Sequence, residues 1–151
     1  MFVEKNKQKL QLEKNNILKS FYETYIHDES GQKKPGFQTE LFEENKDTEK
    51  YEGELKDVIL FTFDKLSKGK KHGKGVEYYK SGDVYVGNFA NDKFHGDGIY
   101  IFESGERFEG KLANGKKTGE GSYFYENGNS YIGGWKSNKK SGFGVYIYAC
   151  K

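Results

Sequence analysis

The sequence predicts a mainly β protein, an elongated single-layer antiparallel sheet of stacked β-hairpins that follows an N-terminal helix. Composition is the first observation: 17% of the residues are aromatic and 20 of the 151 are glycine, although the mean hydropathy is only -0.95. Rings in this number are not typical of a disordered chain and favour a thin sheet covered by aromatic side chains. The second observation is a 23-residue repeat, in which Tyr85-Val86-Gly87-Asn88-Phe89 recurs as Phe108-Glu109-Gly110-Lys111-Leu112 and Tyr131-Ile132-Gly133-Gly134-Trp135.

Each repeat unit is predicted to contain two strands and two turns. In the first strand a ring, a glycine and a large apolar residue alternate, as in Tyr85, Gly87 and Phe89, which is the period of a strand with one covered face. Glycine inside a strand marks close approach by another group, and we expect an aromatic ring from a neighbouring strand or unit there. The next turn is predicted to end in Gly-x-Gly, as in Gly96-Asp97-Gly98, because glycine accepts positive φ.

The second strand of each unit is rich in rings and is predicted to end in a glycine-containing hairpin turn. These turns are Ser81-Gly82-Asp83, Ser104-Gly105-Glu106 and Asn127-Gly128-Asn129. A ladder of such hairpins has no central core, since each unit contacts only its neighbours.

The first unit departs from the period. Tyr51-Glu52-Gly53-Glu54-Leu55 fits the first-strand pattern but lies 11 residues ahead of Thr62, the position 23 residues before Tyr85. Either this unit contains an insertion, or residues 51–55 are an extra strand of a decayed unit. The apolar run Val58-Ile59-Leu60-Phe61 is also predicted to be a strand.

These residues resemble the MORN repeat, the "membrane occupation and recognition nexus" family, whose pattern is close to Y-x-G-x-W-x-x-G/D-x-x-H-G-x-G. Residues 131–135 match the opening, whereas leucine or phenylalanine replaces tryptophan in other units. His72-Gly73-Lys74-Gly75 and His95-Gly96-Asp97-Gly98 match the turn, and Thr118 and Ser141 replace histidine in two units. The resemblance covers residues 51–151. It implies a rod or trough of hairpins and a role in organising partners at cytoskeletal, ciliary or membrane-associated assemblies, and it implies no enzymatic activity.

The predicted organisation is an amphipathic helix at residues 1–30, a polar linker at residues 31–50 and the MORN ladder at residues 51–151. Its units lie near residues 51–84, 85–107, 108–130 and 131–151. The helix has an apolar stripe that includes Leu10, Leu18, Phe21 and Tyr22. Three roles stay open for it: capping the first hairpin and its open sheet edge, docking on another protein, or lying on a membrane surface.

Composition excludes several classes of function. A formal net charge of +2 does not indicate a nucleic-acid-binding protein. A single cysteine, Cys150, excludes an intrachain disulfide framework. No apolar run approaches the roughly 20 residues that cross a bilayer, and the first residues lack the apolar segment of a signal peptide. We therefore expect a cytoplasmic protein.

No catalytic, metal or cofactor site is predicted. His72 and His95 share one column of the repeat and should lie about 10 Å apart, too far to share a metal ion or to form an acid–base pair. Cys150 has no histidine or aspartate nearby in sequence. The glycine-rich residues 69–75 lead into a strand, whereas a phosphate-binding loop leads into a helix.

A lysine column repeats every 23 residues and is predicted to form a ridge along one rim of the sheet. Three uses are open: keeping an exposed sheet soluble, binding an acidic partner, or binding acidic phospholipid heads. Lys71, Lys117 and Lys140 stand beside three of these residues. The column consists of Lys70, Lys93, Lys116 and Lys139.

A second set of residues is predicted to line a trough for a protein partner, because aromatic side chains are favoured contacts in interfaces. The set consists of Tyr85, Phe89, Phe108, Leu112, Tyr131 and Trp135.

Together these features predict a non-enzymatic scaffold or adaptor for the proteins of a larger assembly. The alternative is a peripheral membrane adaptor that binds acidic phospholipid through the lysine ridge. The last hairpin is expected to expose an edge strand, which offers pairing with a second copy or another protein unless the chain continues beyond Lys151.

Overall fold

The computed structural model describes residues 2–26, 29–32, 37–41, 48–56 and 70–150. A helix, α1 (Phe2–Phe21), continues into a π-helical turn at Tyr22–Ile26. The strands form one open antiparallel sheet in sequence order, which confirms the predicted fold class. In the described residues they are β1 (Phe37–Leu41), β2 (Thr48–Lys56), β3 (Lys70–Tyr79), β4 (Val84–Ala90), β5 (Lys93–Ile101), β6 (Arg107–Ala113), β7 (Lys116–Phe124), β8 (Ser130–Lys136) and β9 (Lys139–Ile147).

Two kinds of turn alternate along the ladder. The glycine-containing turns predicted from the sequence join β3 to β4, β5 to β6 and β7 to β8, and their glycines Gly82, Gly105 and Gly128 have φ of 90°, 91° and 85°. Two-residue turns join the other strand pairs, and most of their residues have positive φ, as hairpins with primed turns require. These turns are Asn91-Asp92, Asn114-Gly115 and Ser137-Asn138.

The Gly-x-Gly segments differ from their predicted place. Gly96, Gly119 and Gly142 have φ of 73°, 60° and 71°, so the predicted positive φ is present, but they lie inside β5, β7 and β9. The two-residue turns already reverse the chain. The extra residues are accommodated as bulges, visible as register shifts between Gly87 and Phe89 and at the equivalent positions of β6 and β8.

Strand pairing resolves the irregular first unit as an insertion. Gly53 pairs with Gly75 and Lys56 with Lys70, just as Gly87 pairs with Gly98 and Ala90 with Lys93. Residues 51–55 therefore occupy the first-strand position, and the connection at residues 57–69 replaces a two-residue turn. The strand predicted at residues 58–61 lies outside the described residues.

The polar linker predicted at residues 31–50 needs correction. β1 and the first residues of β2 fall within it and pair with each other, with Phe37 opposite Glu54 and Leu41 opposite Lys50. Hydrogen bonding to the neighbouring strand supports these polar residues as strands, because a sheet edge does not require an apolar sequence.

A row of paired glycines crosses the sheet, and aromatic rings lie on it. Gly98 pairs with Gly110, and Gly110 pairs with Gly121. Phe108 is fully buried, and an added Cβ at Gly121 would come within 2.6 Å of its ring. Tyr85 and Tyr131 occupy the equivalent places in their own units. The predicted approach of a ring to the strand glycines is therefore confirmed.

The sheet has two different faces. We call the face that carries Tyr85, Phe108 and Tyr131 the ring face, because its buried cluster is largely aromatic. The opposite face is the helix face, where Val76, Val84 and Val86 pack with Phe21 of α1. This alternation follows from the period of two residues in each strand.

Helix α1 crosses the strands on the helix face. Tyr22 donates a hydrogen bond to the buried Glu52 carboxylate on β2, and Glu13 forms a 2.8 Å ion pair with Arg107 on β6. Between them, Lys14 donates to the Gly82 carbonyl. The helix thus folds back on the first hairpin, as one of the three open roles required. It covers a face of that hairpin rather than its edge, because β2 already pairs with β3.

The ring–glycine packing makes Gly121→Ala a direct test of the fold. The new methyl group would meet the buried Phe108 ring, and overpacking of this kind costs about 1 to 3 kcal/mol. Urea unfolding followed by circular dichroism measures the change. Gly115→Asn is the matched control, since a Cβ at Gly115 meets nothing within 4 Å and asparagine tolerates positive φ. Equal stability of the two variants would contradict this packing.

Candidate functional site

The six residues predicted to line a partner trough lie in the buried cluster of the ring face. Their exposed fractions range from 0% to 7%, so their side chains join one hairpin to the next. Trp135, for example, donates its indole N–H to the Gly121 carbonyl at 3.0 Å. Direct contact with a partner stays a prediction for this set, and the solvent-accessible rings of this face are others.

A continuous row of rings covers the buried cluster along one side. Successive ring centroids are 4.7 to 6.0 Å apart, within the range of favourable aromatic pairs. The rings are half-buried in the first three units, and exposure rises to 38% at Tyr146 and 75% at Tyr148. We call this set the ring row: Tyr79, Tyr100, Phe102, Tyr123, Tyr125, Tyr146 and Tyr148.

Acidic turn residues hold the hydroxyl groups of the ring row in place. Tyr100 donates to Asp83 at 3.0 Å, and Tyr123 donates to Glu106 at 2.7 Å. Burial, followed by these hydrogen bonds, raises the pKa of both tyrosines above the ordinary value. Each hydroxyl therefore stays neutral and bonded, and the rings keep one orientation before a partner arrives. The sequence signal is the 23-residue step shared by the two pairs, which sequence reasoning missed.

Two lysines insert into aromatic sockets below the ring row. The Lys117 ammonium lies 5.0, 4.5 and 5.1 Å from the ring centroids of Phe108, Tyr123 and Trp135. Burial lowers the pKa of Lys117, and the Glu106 carboxylate opposes this shift.

Lys140 occupies the equivalent socket in the last unit. Its ammonium lies 4.5 Å from the Tyr131 centroid and donates a 2.6 Å hydrogen bond to the Tyr125 hydroxyl. Unit two carries Phe94 at this place, stacked on Tyr85 with centroids 3.8 Å apart. In the first unit Lys71 is buried and paired with Glu77. Lys71, Lys117 and Lys140 thus belong to the ring face and not to the predicted ridge beside them.

The four lysines of the predicted ridge are all exposed. Each is the first residue of its strand, and three of them follow the two-residue turns, so they lie along one rim of the sheet at intervals of two strands, about 10 Å. Their ligand remains a prediction. We call Lys70, Lys93, Lys116 and Lys139 the lysine rim.

The described residues offer no assembled reaction centre. His72 and His95 lie on β3 and β5 with β4 between them, and Cys150 is exposed. Within the same residues, no group of three or more histidine, cysteine or acidic side chains is arranged to hold a metal ion. His27 lies outside them. No helix in the described part of the chain combines the length and apolarity that crossing a bilayer requires.

The alternating turns, the glycine pairs and the stacked rings recur in every full unit, and comparison with known families agrees with them. A model described as the MORN repeat matches residues 66–84, 85–107, 108–130 and 131–149, more than half of the chain. The chain belongs to the MORN repeat family. The matched MORN units start at three of the boundaries predicted from the sequence, and the first begins later because of the insertion. A comparison with curated proteins found no match.

The aromatic sockets generate a prediction about Lys117. Lys117→Ala is expected to cost about 1 to 2 kcal/mol, because the surrounding rings lose both the ammonium and the aliphatic stem. Lys117→Phe is expected to stay within about 1 kcal/mol of the natural chain, since Phe94 fills the same place in another unit. Urea unfolding measures both, with the exposed Lys116→Ala as control. If Lys117→Ala were as stable as Lys116→Ala, the sockets would contribute nothing.

Proposed function

We propose that this MORN protein is a non-enzymatic scaffold or adaptor that binds other proteins within a larger cytoskeletal, ciliary or membrane-associated assembly. The observation that carries the proposal is the ring row, a continuous aromatic surface that becomes more exposed towards Tyr148. MORN repeats generally serve as interaction or membrane-binding modules, and the family is typically non-enzymatic. Its family resemblance supports a cytoplasmic location in association with the cytoskeleton or a cilium.

The ring row suits a protein partner for a physical reason. Tyrosine presents a large contact area with few rotatable bonds, so its burial in an interface costs little conformational entropy. The hydrogen bonds from Tyr100 and Tyr123 to acidic turn residues reduce that cost further, because the rings are ordered beforehand. The acidic turns also favour a partner with basic residues at the border of the interface.

The lysine rim supports a second candidate, a peripheral adaptor that binds acidic phospholipid. Four exposed ammonium groups along one rim attract anionic headgroups with about 1 kcal/mol for each lysine near the surface. Adjacent lysines are about one Debye length apart at cellular salt, so their fields add only partly. We rank this candidate second because the same rim also serves solubility.

Quantitative co-purification from cells tests the scaffold function. We expect the double variant Tyr146→Ser/Tyr148→Ser to lose specific neighbouring proteins at least tenfold, because it removes the most exposed rings without touching the buried cluster. The matched control is Lys93→Glu/Lys116→Glu on the lysine rim, which should retain them.

The opposite pattern would contradict the scaffold function and favour the lipid function. In that case the rim variant alone would lose its neighbours. The natural chain would also float with phosphatidylserine vesicles at low salt and sink at physiological salt, and the rim variant would not float at all.

A further inference from the structure

The helix face contains two apolar seats, and α1 fills one of them. In the first seat Leu18, Phe21 and Tyr22 of α1 pack on the sheet. The sheet residues of this seat are those that α1 contacts or closely approaches together with the adjacent strand residue Ile101: Tyr78, Val86, Ile99 and Ile101.

The second seat repeats this pattern two units later. A step of 46 residues along the chain, two repeats, converts the four residues of the first seat into four that are again apolar. The corresponding residues are Phe124, Ile132, Val145 and Ile147.

The second seat is open to solvent. Ile132, Val145 and Ile147 are 47%, 61% and 47% exposed, whereas Val86 and Ile101 at the equivalent places are 2% and 3% exposed. Ile132 and Val145 are direct cross-strand partners, so the exposed side chains form one contiguous patch. Such a patch on a folded chain marks an interaction site.

Polar residues separate the two seats. One repeat after Val86 stands Glu109, which accepts a 2.6 Å hydrogen bond from Arg107. Arg107 also pairs with Glu13 of α1 and lies over the Phe124 ring, 4.1 Å from its centroid. The Arg107–Glu109 pair thus ends the first seat and borders the second.

The surface between the seats is continuous. A cavity of about 460 Å³ lies beside α1 and is lined by Ile17, Phe21, Val86 and Ile99. A second cavity of about 420 Å³ shares Phe21 with it and extends to Ser122, whose cross-strand partner is Ile132. The track on which α1 lies therefore leads directly to the open patch.

We propose that the second seat binds an amphipathic helix of a partner protein, with a leucine and an aromatic residue three positions apart, as Leu18 and Phe21 are spaced in α1. This deepens the scaffold function proposed above and rests on it, while using a different surface from the ring row. The partner helix replaces on the second seat what α1 supplies on the first: two large apolar side chains over paired strand residues.

The turn beside the second seat indicates a further feature of the partner. In the first seat Lys14, four residues before Leu18, donates to the Gly82 carbonyl. Gly128 is the equivalent residue two repeats later, in a turn that carries the exposed acid Glu126. A basic residue one helical turn before the partner's leucine therefore fits this end of the seat.

A labelled synthetic peptide of residues 2–26, the α1 segment itself, tests the proposal in trans against the full chain. Because the chain's own α1 fills the first seat, fluorescence anisotropy should report binding at the second. Ile147→Glu and, separately, Ile132→Glu should weaken the peptide's affinity at least tenfold, because each places a carboxylate in the apolar patch. Tyr148→Glu is the matched control: it adds the same charge one residue later, on the ring face, and should leave affinity within twofold.

Several results would overturn the proposal. One is absence of peptide binding by a chain whose circular dichroism is normal. Others are equal weakening by Ile147→Glu and Tyr148→Glu, or loss of binding with Val86→Glu alone, which would mean exchange at the first seat. Sedimentation that shows a dimer abolished by Ile147→Glu would assign the patch to a second copy instead. None of these outcomes concerns Tyr146 or the neighbours that the ring row retains, so the scaffold function would be judged separately.

Discussion

The close approach of an aromatic ring to a pair of glycines on adjacent strands is the constraint on which the rest of the structure depends. A single-layer sheet has no second sheet against which to bury apolar surface, so each ring must lie on the backbone of its own layer. Phe108 does so over Gly110 and Gly121, where any side chain larger than hydrogen would displace it. Repetition of this contact every 23 residues sets a constant step between hairpins, and the rows of side chains follow from that step.

Constant spacing converts single side chains into surfaces with different chemistry. The ring face buries Tyr85, Phe108 and Tyr131 and carries the more accessible ring row above them. On the helix face, apolar residues gather in two seats with the Arg107–Glu109 pair between them. One rim of the sheet is lined with exposed lysines, and the other carries the acidic turns that bind tyrosine hydroxyls. Each surface can therefore change by substitution in one column of the repeat without disturbing the others.

Much of the fold could be predicted from the sequence, because glycine and ring columns in constant register leave few alternatives to stacked hairpins. The bulges could not be placed, since Gly96 has the same identity and positive φ whether it ends a turn or lies in a strand. The site was less accessible. Lys116 and Lys117 are identical and adjacent in sequence, yet one is exposed and the other lies among rings, which depends on residues from three different strands. The burial of α1 on a face also required knowing that β2 covers the edge of β3.

The most direct measurement of the central claim is a nuclear Overhauser experiment on the folded chain in solution. If rings lie on paired glycines in every unit, the Phe108 ring protons will show strong cross-peaks to the α-protons of Gly121. Tyr85 and Tyr131 will show the same cross-peaks to Gly98 and Gly144, and the three pairs will have similar intensity because the units are equivalent. Absence of these cross-peaks, or their presence in one unit alone, would contradict a ladder held at a constant step by rings on glycine.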